Sequence, residues 1–234
     1  FYEGAGNSIV HFADSIHCSS LTHGFKWSSL SKSPARRIVC PVADDYFTSF
    51  ATNRARAAKS GNALRILVSG TLQPRKNQLG AIQAAILLND AGFDVSLDLI
   101  GYTVFHNQYL AECTSLIEAS QYKDKFIIHG FIDDPKPFYD KCDLLLISAT
   151  DESMPQTMLQ AMAMGIPVVS TIVGGVGEII KHRYSGFLAQ DDSPEAMAAA
   201  VSQYIRLSQL QRLEIIDRAQ RSMKFLARPT YVRS

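Results

Sequence analysis

From Arg65 onward, short apolar runs alternate with longer segments of helical spacing, and this alternation constrains the fold more than any other feature. The runs are apolar at successive positions, which is typical of strands that are covered on both faces. Strands that alternate with helices form a mostly parallel sheet with helices on both faces, so we predict an α/β fold of this kind. The predicted strands are RILVSG, DVSLDLIG, KFIIHG, DLLLIS, PVVST and GFLA.

The predicted helices follow these strands. They are KNQLGAIQAAILLNDAG, QYLAECTSLIEAS, PKPFYDKC, QTMLQAMAMG, GVGEIIKH, SPEAMAAAVSQYIRLS and QLQRLEIIDRAQRSMKFL. In a parallel sheet of this type, ligands bind outside the carboxyl ends of the strands. The loops to consider as a site are therefore those that follow Gly70, Gly101, Gly130, Ser148, Thr171 and Ala189.

The segment before this pattern has a different character. SIVHFADSIHCSS predicts a helix end followed by a strand, and THGFKWSSL predicts a helix. The stretch RRIVCPVADDYF is a candidate strand. The stretch TNRARAAKSGN is interpreted as a polar, basic linker.

Composition bears on several classes of function. The formal net charge of +1 gives no electrostatic reason to expect nucleic acid as a partner. The four cysteines are scattered, without a close pair or a histidine at metal-ligand spacing. We therefore expect reduced thiols in a cytoplasmic protein, with no metal and no cofactor. The histidines indicate no site, and His129 is interpreted as a satisfied histidine of the core or of the sheet edge.

The turn SGTLQPRKNQ is the first candidate site, because Lys76 stands at or near the start of a predicted helix. The free N–H groups and positive dipole of a helix N-terminus, together with a lysine, can bind phosphate. The spacing fits neither a P-loop nor a dinucleotide-binding glycine fingerprint, which argues against a dehydrogenase. An ordinary strand–helix turn with a solvated Arg75–Lys76 pair is the alternative interpretation.

The stretch ISATDESMPQTM is the second candidate site. It leaves a buried strand and enters a helix at about Pro155, so Glu152 projects from a loop at the carboxyl edge of the sheet. The first turn of this helix would present free N–H groups to an anion. In the alternative interpretation, Asp151 and Ser153 cap the helix. The methionines of this segment are interpreted as core residues; they are Met158, Met162 and Met164.

Several motifs occur in order along the chain. Glu152 and Gln160 are separated by seven residues, and the passages AMAMGIPVVST and GGVGE follow. Together with SGTLQPRKN and with HGFIDDPKPFYDKCDLLLISATDE, they resemble the signature of retaining GT-B glycosyltransferases of family 4, over residues 38–207. The resemblance implies that this segment is the C-terminal, Rossmann-like half of a GT-B fold, which binds a nucleotide diphosphate sugar.

The resemblance also implies roles for individual residues. Lys76 would bind the donor diphosphate, and Glu152 would hydrogen-bond hydroxyls of the transferred sugar; these two are the catalytic candidates. Main chain near the diphosphate would come from Ser69, Gly70 and Thr71, with N–H groups from Thr157 and Met158. Main chain facing the nucleobase would come from Gly130, Phe131 and Ile132. Position 160 would hold the ribose, and Gly174, Gly175 and Glu178 would lie nearby. For Glu178, capping of a short helix is an equal alternative.

The sequence departs from the family pattern in two of these positions. Thr71 stands where the phosphate loop often has arginine, and Arg75 either compensates or points into solvent. Gln160 replaces a glutamate, so a charged hydrogen bond becomes a neutral one. That replacement should cost on the order of 1 kcal/mol, or about five- to tenfold in donor affinity.

The resemblance further predicts how the chain is divided and what it does. Residues 1–36 would be a remnant of the N-terminal acceptor domain with its linker, residues 37–225 the donor domain, and residues 226–234 a tail. The parent protein would transfer a hexose-type sugar, with retention of configuration, to a saccharide or lipid-linked saccharide. The isolated chain would be nearly inactive.

Two alternative functions stay open beside this interpretation. One is a catalytically silent domain that binds a nucleotide sugar or a partner, and another is a non-hydrolysing epimerase. Peripheral association with the inner face of a membrane, and self-association through the first predicted strand, are also compatible with the sequence.

Overall fold

The computed structural model describes residues 16–20, 35–37, 41–57, 63–103 and 107–224. Its centre is a six-stranded parallel sheet in the order β5-β4-β3-β6-β7-β8. The strands of this sheet are β3 (Ala63–Ser69), β4 (Asp94–Ile100), β5 (Phe126–Gly130), β6 (Leu144–Ile147), β7 (Val168–Ser170) and β8 (Phe187–Leu188). The predicted parallel α/β fold is therefore confirmed, and each of the six strands predicted from Arg65 onward is present. The candidate strand RRIVCPVADDYF is wrong at its end, because Asp45–Thr48 is helical, and only its first two residues lie in a described strand.

Helices connect these strands and cover both faces of the sheet. They are α1 (Asp45–Thr48), α2 (Phe50–Ala57), α3 (Gln78–Asp90), α4 (Asn107–Ala119), α5 (Lys136–Tyr139), α6 (Gln156–Ala163), α7 (Val176–Ile179), α8 (Pro194–Ile205) and α9 (Gln209–Met223). The start of α8 follows its sequence signature, because the Ser193 side chain accepts a hydrogen bond from the N–H of Ala196 and proline occupies the first helical position.

The apolar core lies on both faces of the sheet because successive residues of each strand point to opposite sides. In β3, Ile66 and Val68 belong to one core cluster, while Leu67 belongs to the other. The second cluster contains the methionines of α6 and of the residues after it, which are almost fully buried. The interpretation of Met158, Met162 and Met164 as core residues is thus confirmed.

The interpretation of residues 52–62 as a linker is wrong in its first part, because α2 extends through Ala57. This helix packs through polar contacts rather than an apolar stripe. Arg54 donates two hydrogen bonds to Asp217 of α9, at 2.6 and 2.8 Å, and the buried Asn53 amide donates to the carbonyl of Met164. A polar composition therefore hid a packed helix. Residues 58–62 lie outside the described residues.

A separate two-stranded parallel sheet joins β1 (Ile16–Cys18) to β2 (Ala35–Arg37). The strand predicted within ADSIHCSS is present as β1, and it pairs with β2 of the same chain. The helix predicted in THGFKWSSL lies outside the described residues, as does the helix end before β1. The predicted domain boundary after residue 36 falls inside β2. No helix among the described residues is both long and apolar enough to cross a bilayer.

Candidate functional site

The carboxyl ends of β3 and β6 form the centre of the candidate site. These strands are neighbours, yet the chain leaves β3 toward β4 on one side and leaves β6 toward β7 on the other. Such a reversal of strand order opens a crevice between the two outgoing loops, and ligands of open α/β sheets bind there. The two candidate loops of the sequence analysis are the loops that meet at this crevice.

The loop after β3 contains a 3-10 turn, Pro74–Lys76, which the loop after β6 holds in place. The Ser148 hydroxyl donates to the Lys76 carbonyl at 2.7 Å, and the Thr150 N–H donates to the Arg75 carbonyl at 2.9 Å. Asn77 follows the turn with a φ of 51° and caps α3, because its side chain accepts a hydrogen bond from the N–H of Gly80. Lys76 therefore lies just before the helix and not in its first turn.

Lys76 and Glu152 meet in the crevice. The Lys76 Nζ forms an ion pair with Glu152 Oε1, and both side chains are mostly buried. Burial and the adjacent Arg75 guanidinium lower the pKa of Lys76 to about 8, while the Asp151 carboxylate acts in the opposite direction. The contact with Glu152 also favours the ammonium form, so Lys76 is a cation at neutral pH.

Arg75 approaches the same carboxylate from the solvent side. Its Nη1 lies 3.9 Å from Glu152 Oε2 and donates to the Asp151 carbonyl at 3.4 Å. The side chain is 48% exposed, so it borders the crevice and remains in contact with water. Arg75 is thus both near Glu152 and half exposed, and compensation for Thr71 stays a prediction.

The Gly174–Gly175 pair supports the loop that carries Glu152. Gly174 has a φ of 46°, and a Cβ at this position would lie 1.9 Å from the carbonyl oxygen of Glu152. The Gly175 N–H donates to the Ser153 carbonyl at 2.7 Å. The loop after β7 can therefore touch the backbone of the Glu152 loop only because it has no side chain at position 174. Glu178 lies half-buried in the short helix α7 that follows.

Helix α6 begins at Gln156, and its N-cap residue Pro155 makes no side-chain capping bond. The alternative in which Asp151 and Ser153 cap this helix is therefore wrong. Thr157 borders a cavity of about 20 Å³ that also touches Lys76 and Glu152. The Met158 N–H already donates to the Pro155 carbonyl at 3.2 Å, so a phosphate would compete with that bond.

Gln160 is half-buried and lies one helical turn beyond Thr157. Residues three apart in a helix are neighbours on its surface, so Gln160 shares a side of α6 with Thr157. Glu152, Thr157 and Gln160 thus follow one another from the crevice along α6.

The loop after β5 lies two strands away from Lys76. Neighbouring strands are about 4.8 Å apart, so the separation is about 10 Å across the sheet. Gly130 has a φ of 73°, and its carbonyl accepts a hydrogen bond from the N–H of Gly101 at 2.8 Å. Phe131 is 65% exposed, and Ile132 packs partly against the core.

Sequence reasoning missed residues that border these loops. Tyr102 is 47% exposed, and its ring meets the ring of Phe131 edge to face at 5.5 Å between centroids. Gly101, Tyr102 and Gly130 border a cavity of about 610 Å³. At the other end of the site, the hydroxyls of Ser19 and Ser153 are hydrogen-bonded. The position of Tyr102 directly after a strand-ending glycine was the available signal; the Ser19–Ser153 contact had none.

The described residues contain no group of three or more His, Cys, Asp or Glu side chains that could hold a metal ion. In the described part of the chain, Cys113 and Cys142 are free and buried. Burial raises the pKa of Cys113 to about 11, so this thiol is unreactive. The cationic and hydrogen-bonding groups of the site are therefore those of the loops already described.

Comparisons with known structures agree on the fold. Anabaena Alr3699/HepE in complex with UDP and glucose superposes with a TM-score of 0.82 and 19% identity, over 97% of this chain and 64% of that one. The C-terminal domain of the glycosyl transferase group 1 family protein LpcC from Francisella tularensis superposes with a TM-score of 0.63 and 20% identity, over 80% of this chain and 94% of that one. The structural neighbours are GT-B glycosyltransferases, and at these identities the likeness shows the fold alone.

Sequence comparison gives the family. The amylovoran biosynthesis glycosyltransferase AmsK of Erwinia amylovora is 32% identical over 154 residues, which cover 62% of this chain and 36% of AmsK. The N-acetyl-alpha-D-glucosaminyl L-malate synthase of Bacillus anthracis is 29% identical over 102 residues, which cover 43% of this chain and 27% of that enzyme. The chain thus spans well under half the length of these relatives. The family model for glycosyl transferases group 1 matches residues 49–222, and the chain therefore belongs to that family.

Proposed function

We propose that this chain is the donor-binding part of a retaining glycosyltransferase that uses a nucleotide diphosphate hexose, in polysaccharide or glycolipid synthesis. The observation that carries the proposal is the Lys76–Glu152 pair in the crevice between β3 and β6. The relative AmsK is named for amylovoran biosynthesis, and HepE has been solved with UDP-glucose. Both facts support a sugar-nucleotide donor.

Lys76 binds the donor diphosphate in this proposal. Main chain at Ser69, Gly70 and Thr71 lies beside it, and Thr157 and Met158 begin the helix on the opposite side of the crevice. Because the diphosphate gains charge as the sugar leaves, a cation placed beforehand stabilises the transition state more than the ground state. The ammonium must exchange the Glu152 carboxylate for phosphate oxygens when the donor binds.

Glu152 holds the transferred sugar in this proposal. Once the donor diphosphate has taken Lys76, the carboxylate accepts hydrogen bonds from sugar hydroxyls and orients the anomeric carbon. The bond from that carbon to the diphosphate oxygen breaks, and a bond to the acceptor oxygen forms on the same face. The acceptor proton passes to an oxygen of the leaving phosphate, which gives retention without an enzymatic nucleophile.

The remaining predicted residues extend the site toward the nucleoside. Gly130, Phe131 and Ile132 present main chain to the nucleobase, and Gln160 accepts a ribose hydroxyl. The separation of about 10 Å between the Lys76 turn and the loop after β5 suits an extended nucleotide. Gly174 and Gly175 act by supporting the Glu152 loop, and Glu178 lies nearby in α7.

In our proposal the acceptor is bound mainly by residues outside this chain. Residues 1–36 belong to the acceptor domain, residues 37–225 to the donor domain and residues 226–234 to a tail. The small share of each relative that the chain covers supports this division. The isolated chain should therefore bind donor weakly and transfer little sugar. We place the protein in the cytoplasm, with the acceptor as its link to the membrane face.

Calorimetric titration of the chain with UDP, GDP, dTDP and ADP sugars tests the proposal. We expect one nucleotide to bind, and Lys76→Ala to abolish that binding. Lys125→Ala is the matched control, because Lys125 is also paired with a carboxylate, Asp94 at 2.9 Å, but lies where β5 begins, at the opposite end of the sheet. Absence of binding by a longer chain that includes the acceptor domain would refute the proposal.

A silent binding domain is the second candidate function, and Thr71 and Gln160 are the observations that favour it. Gln160→Glu separates the two candidates. An active donor site should gain about five- to tenfold in affinity from the restored charged hydrogen bond. A domain that binds only a partner protein should show no donor affinity in either form.

A further inference from the structure

A buried carboxylate links three neighbouring strands behind the loop that follows β5. Asp98 of β4 is only 4% exposed. Arg65 of β3 donates its Nε–H to Asp98 Oδ2 at 2.5 Å, and His129 Nε2 lies 2.6 Å from Asp98 Oδ1. Burial alone would raise the pKa of Asp98, but the hydrogen bonds from Arg65 and His129 hold it below its ordinary value. The carboxylate is therefore ionised and accepts a hydrogen bond from the Nε2–H of His129.

His129 is the extra residue of a β-bulge. In the pairing of β4 with β5, Leu99 is opposite Ile128 and Ile100 is opposite Gly130, so His129 has no partner in the ladder. A bulge re-aims the chain, and bulges occur often beside active sites. The side chain of His129 supplies the contacts that the ladder does not, with Asp98 on one side and the ring of Phe138 at 4.7 Å between centroids on the other.

The chain turns directly after this residue. Gly130 adopts a φ of 73°, and its carbonyl is fixed by the N–H of Gly101 at 2.8 Å. The direction in which the main chain of Phe131 and Ile132 leaves the sheet therefore depends on how His129 sits in the bulge. Phe131 is largely exposed, so few of its own side-chain contacts hold the loop in place.

We propose that His129, oriented by Asp98, is a positioning residue that sets the main chain of Gly130–Ile132 for recognition of the nucleobase. This inference rests on the proposed function, which assigns that loop to the base. Arg65 holds the Asp98 carboxylate on the side opposite His129. The side chains of Arg65, Asp98 and His129 therefore form a hydrogen-bonded chain, here called the relay, from β3 to the loop that follows β5. The loop that the relay orients lies two strands away from the turn that carries Lys76, to which the proposed function assigns the diphosphate.

This separation gives the test, because UDP needs both parts of the site whereas inorganic pyrophosphate needs only the Lys76 part. We would measure the dissociation constants of UDP and pyrophosphate by calorimetry for wild type and for His129→Leu, His129→Gln and Asp98→Asn. His129→Leu should weaken UDP binding about tenfold and leave pyrophosphate within about twofold, the loss expected when a hydrogen bond to a charged group is removed. His129→Gln keeps an N–H donor for Asp98 and should recover most of the UDP affinity.

Asp217→Asn is the matched control, because it removes an ion pair of similar type between α2 and α9, away from the site. It should lower the melting temperature without changing either dissociation constant. Equal weakening of UDP and pyrophosphate by His129→Leu and Asp98→Asn, or unchanged UDP binding, would overturn the inference. If His129→Leu does not fold, Asp98→Asn decides by the same ratio, and His129→Gln should stay close to wild type for both ligands. Wild type that binds pyrophosphate but no nucleotide would instead refute the proposed function.

Discussion

The protonation of Lys76 should control donor affinity in the alkaline range. The pKa of Lys76 is lowered from 10.5 to about 8, first by burial and then by the charge of Arg75. A bound diphosphate favours the ammonium, so it raises this pKa in the complex. Affinity is therefore full below about pH 8 and falls as the pH rises through that value, whereas an unperturbed lysine would hold its charge to about pH 10.4.

The size of the effect follows from the contact that is lost. A hydrogen bond to a charged group contributes about 1.5–3 kcal/mol, which corresponds to about 10- to 150-fold in the dissociation constant. Between pH 8 and pH 9.5 the dissociation constant of UDP should rise about tenfold for each pH unit until the pKa of the complex is reached. The phosphate groups of the nucleotide contribute little here, since the second ionisation of a phosphate monoester lies near pH 6. Any ionisation of the uracil base is common to wild type and to the Lys76 variants, so the difference between them reports on Lys76.

Calorimetry from pH 6.5 to pH 9.5 measures this profile, with two variants as controls. Lys76→Arg keeps its charge at every pH of the series, so its profile should lack the loss of affinity that the deprotonation of Lys76 causes. Lys76→Met has no charge to lose, so its affinity should be low and its profile should lack that loss as well. A wild-type dissociation constant that is the same at pH 7 and pH 9.5 would refute the placement of Lys76 on the diphosphate.

Three further perturbations test the Glu152 loop and the packing of α2. Glu152→Gln leaves Lys76 without its carboxylate, so UDP should bind at least as tightly as to wild type. The extra affinity for UDP-glucose over UDP should disappear in the same titration. A variant that still binds UDP-glucose more tightly than UDP would contradict the role of Glu152 in holding the sugar. Gly174→Ala places a Cβ 1.9 Å from the Glu152 carbonyl at a left-handed φ; it should cost at least about 2 kcal/mol, seen as a melting temperature lower by about 4–8 °C, and should weaken donor binding. Asp217→Ala removes the partly exposed pair with Arg54 and should cost about 0.5–1 kcal/mol in urea unfolding. Because Arg54 lowers the pKa of Asp217, that difference should be present at pH 7 and vanish as the pH falls below about 4.

The fold could be predicted because its strands are buried on both faces. An apolar run such as LLLI in β6 is too apolar for a strand with one solvent-exposed face, so it predicts a strand that is buried on both faces. Each run also ends near a glycine or a polar turn. Helix α2 could not be found in this way, because half of its residues are polar and it has no apolar stripe. Its Arg54 and Asn53 pack by hydrogen bonds to α9 and to the end of α6, and such partners are distant in sequence.

The sequence predicts those parts of the site that lie within a single loop. Lys76 and Glu152 each follow a predicted strand, and strand order then brings them together. The relay of Arg65, Asp98 and His129 was beyond the sequence, although the interpretation of His129 as a satisfied histidine is confirmed by its contact with Asp98. A bulge shifts the strand pairing by one residue, and the sequence of β5 contains no pattern that predicts it.

The charges around Lys76 explain why Thr71 need not silence the site. Lys76 and Arg75 contribute two positive charges at the crevice, and Glu152 takes up one of them in the absence of donor. In our proposal Glu152 turns to the sugar when the donor binds, and both cations would then become available to the diphosphate. Arg75, whose Nη1 lies 3.9 Å from Glu152 Oε2, would then take the place of the arginine that the family's phosphate loop often has at position 71. Because the side chain of Arg75 is half exposed, its attraction is screened by solvent and salt, so it compensates for Thr71 only in part.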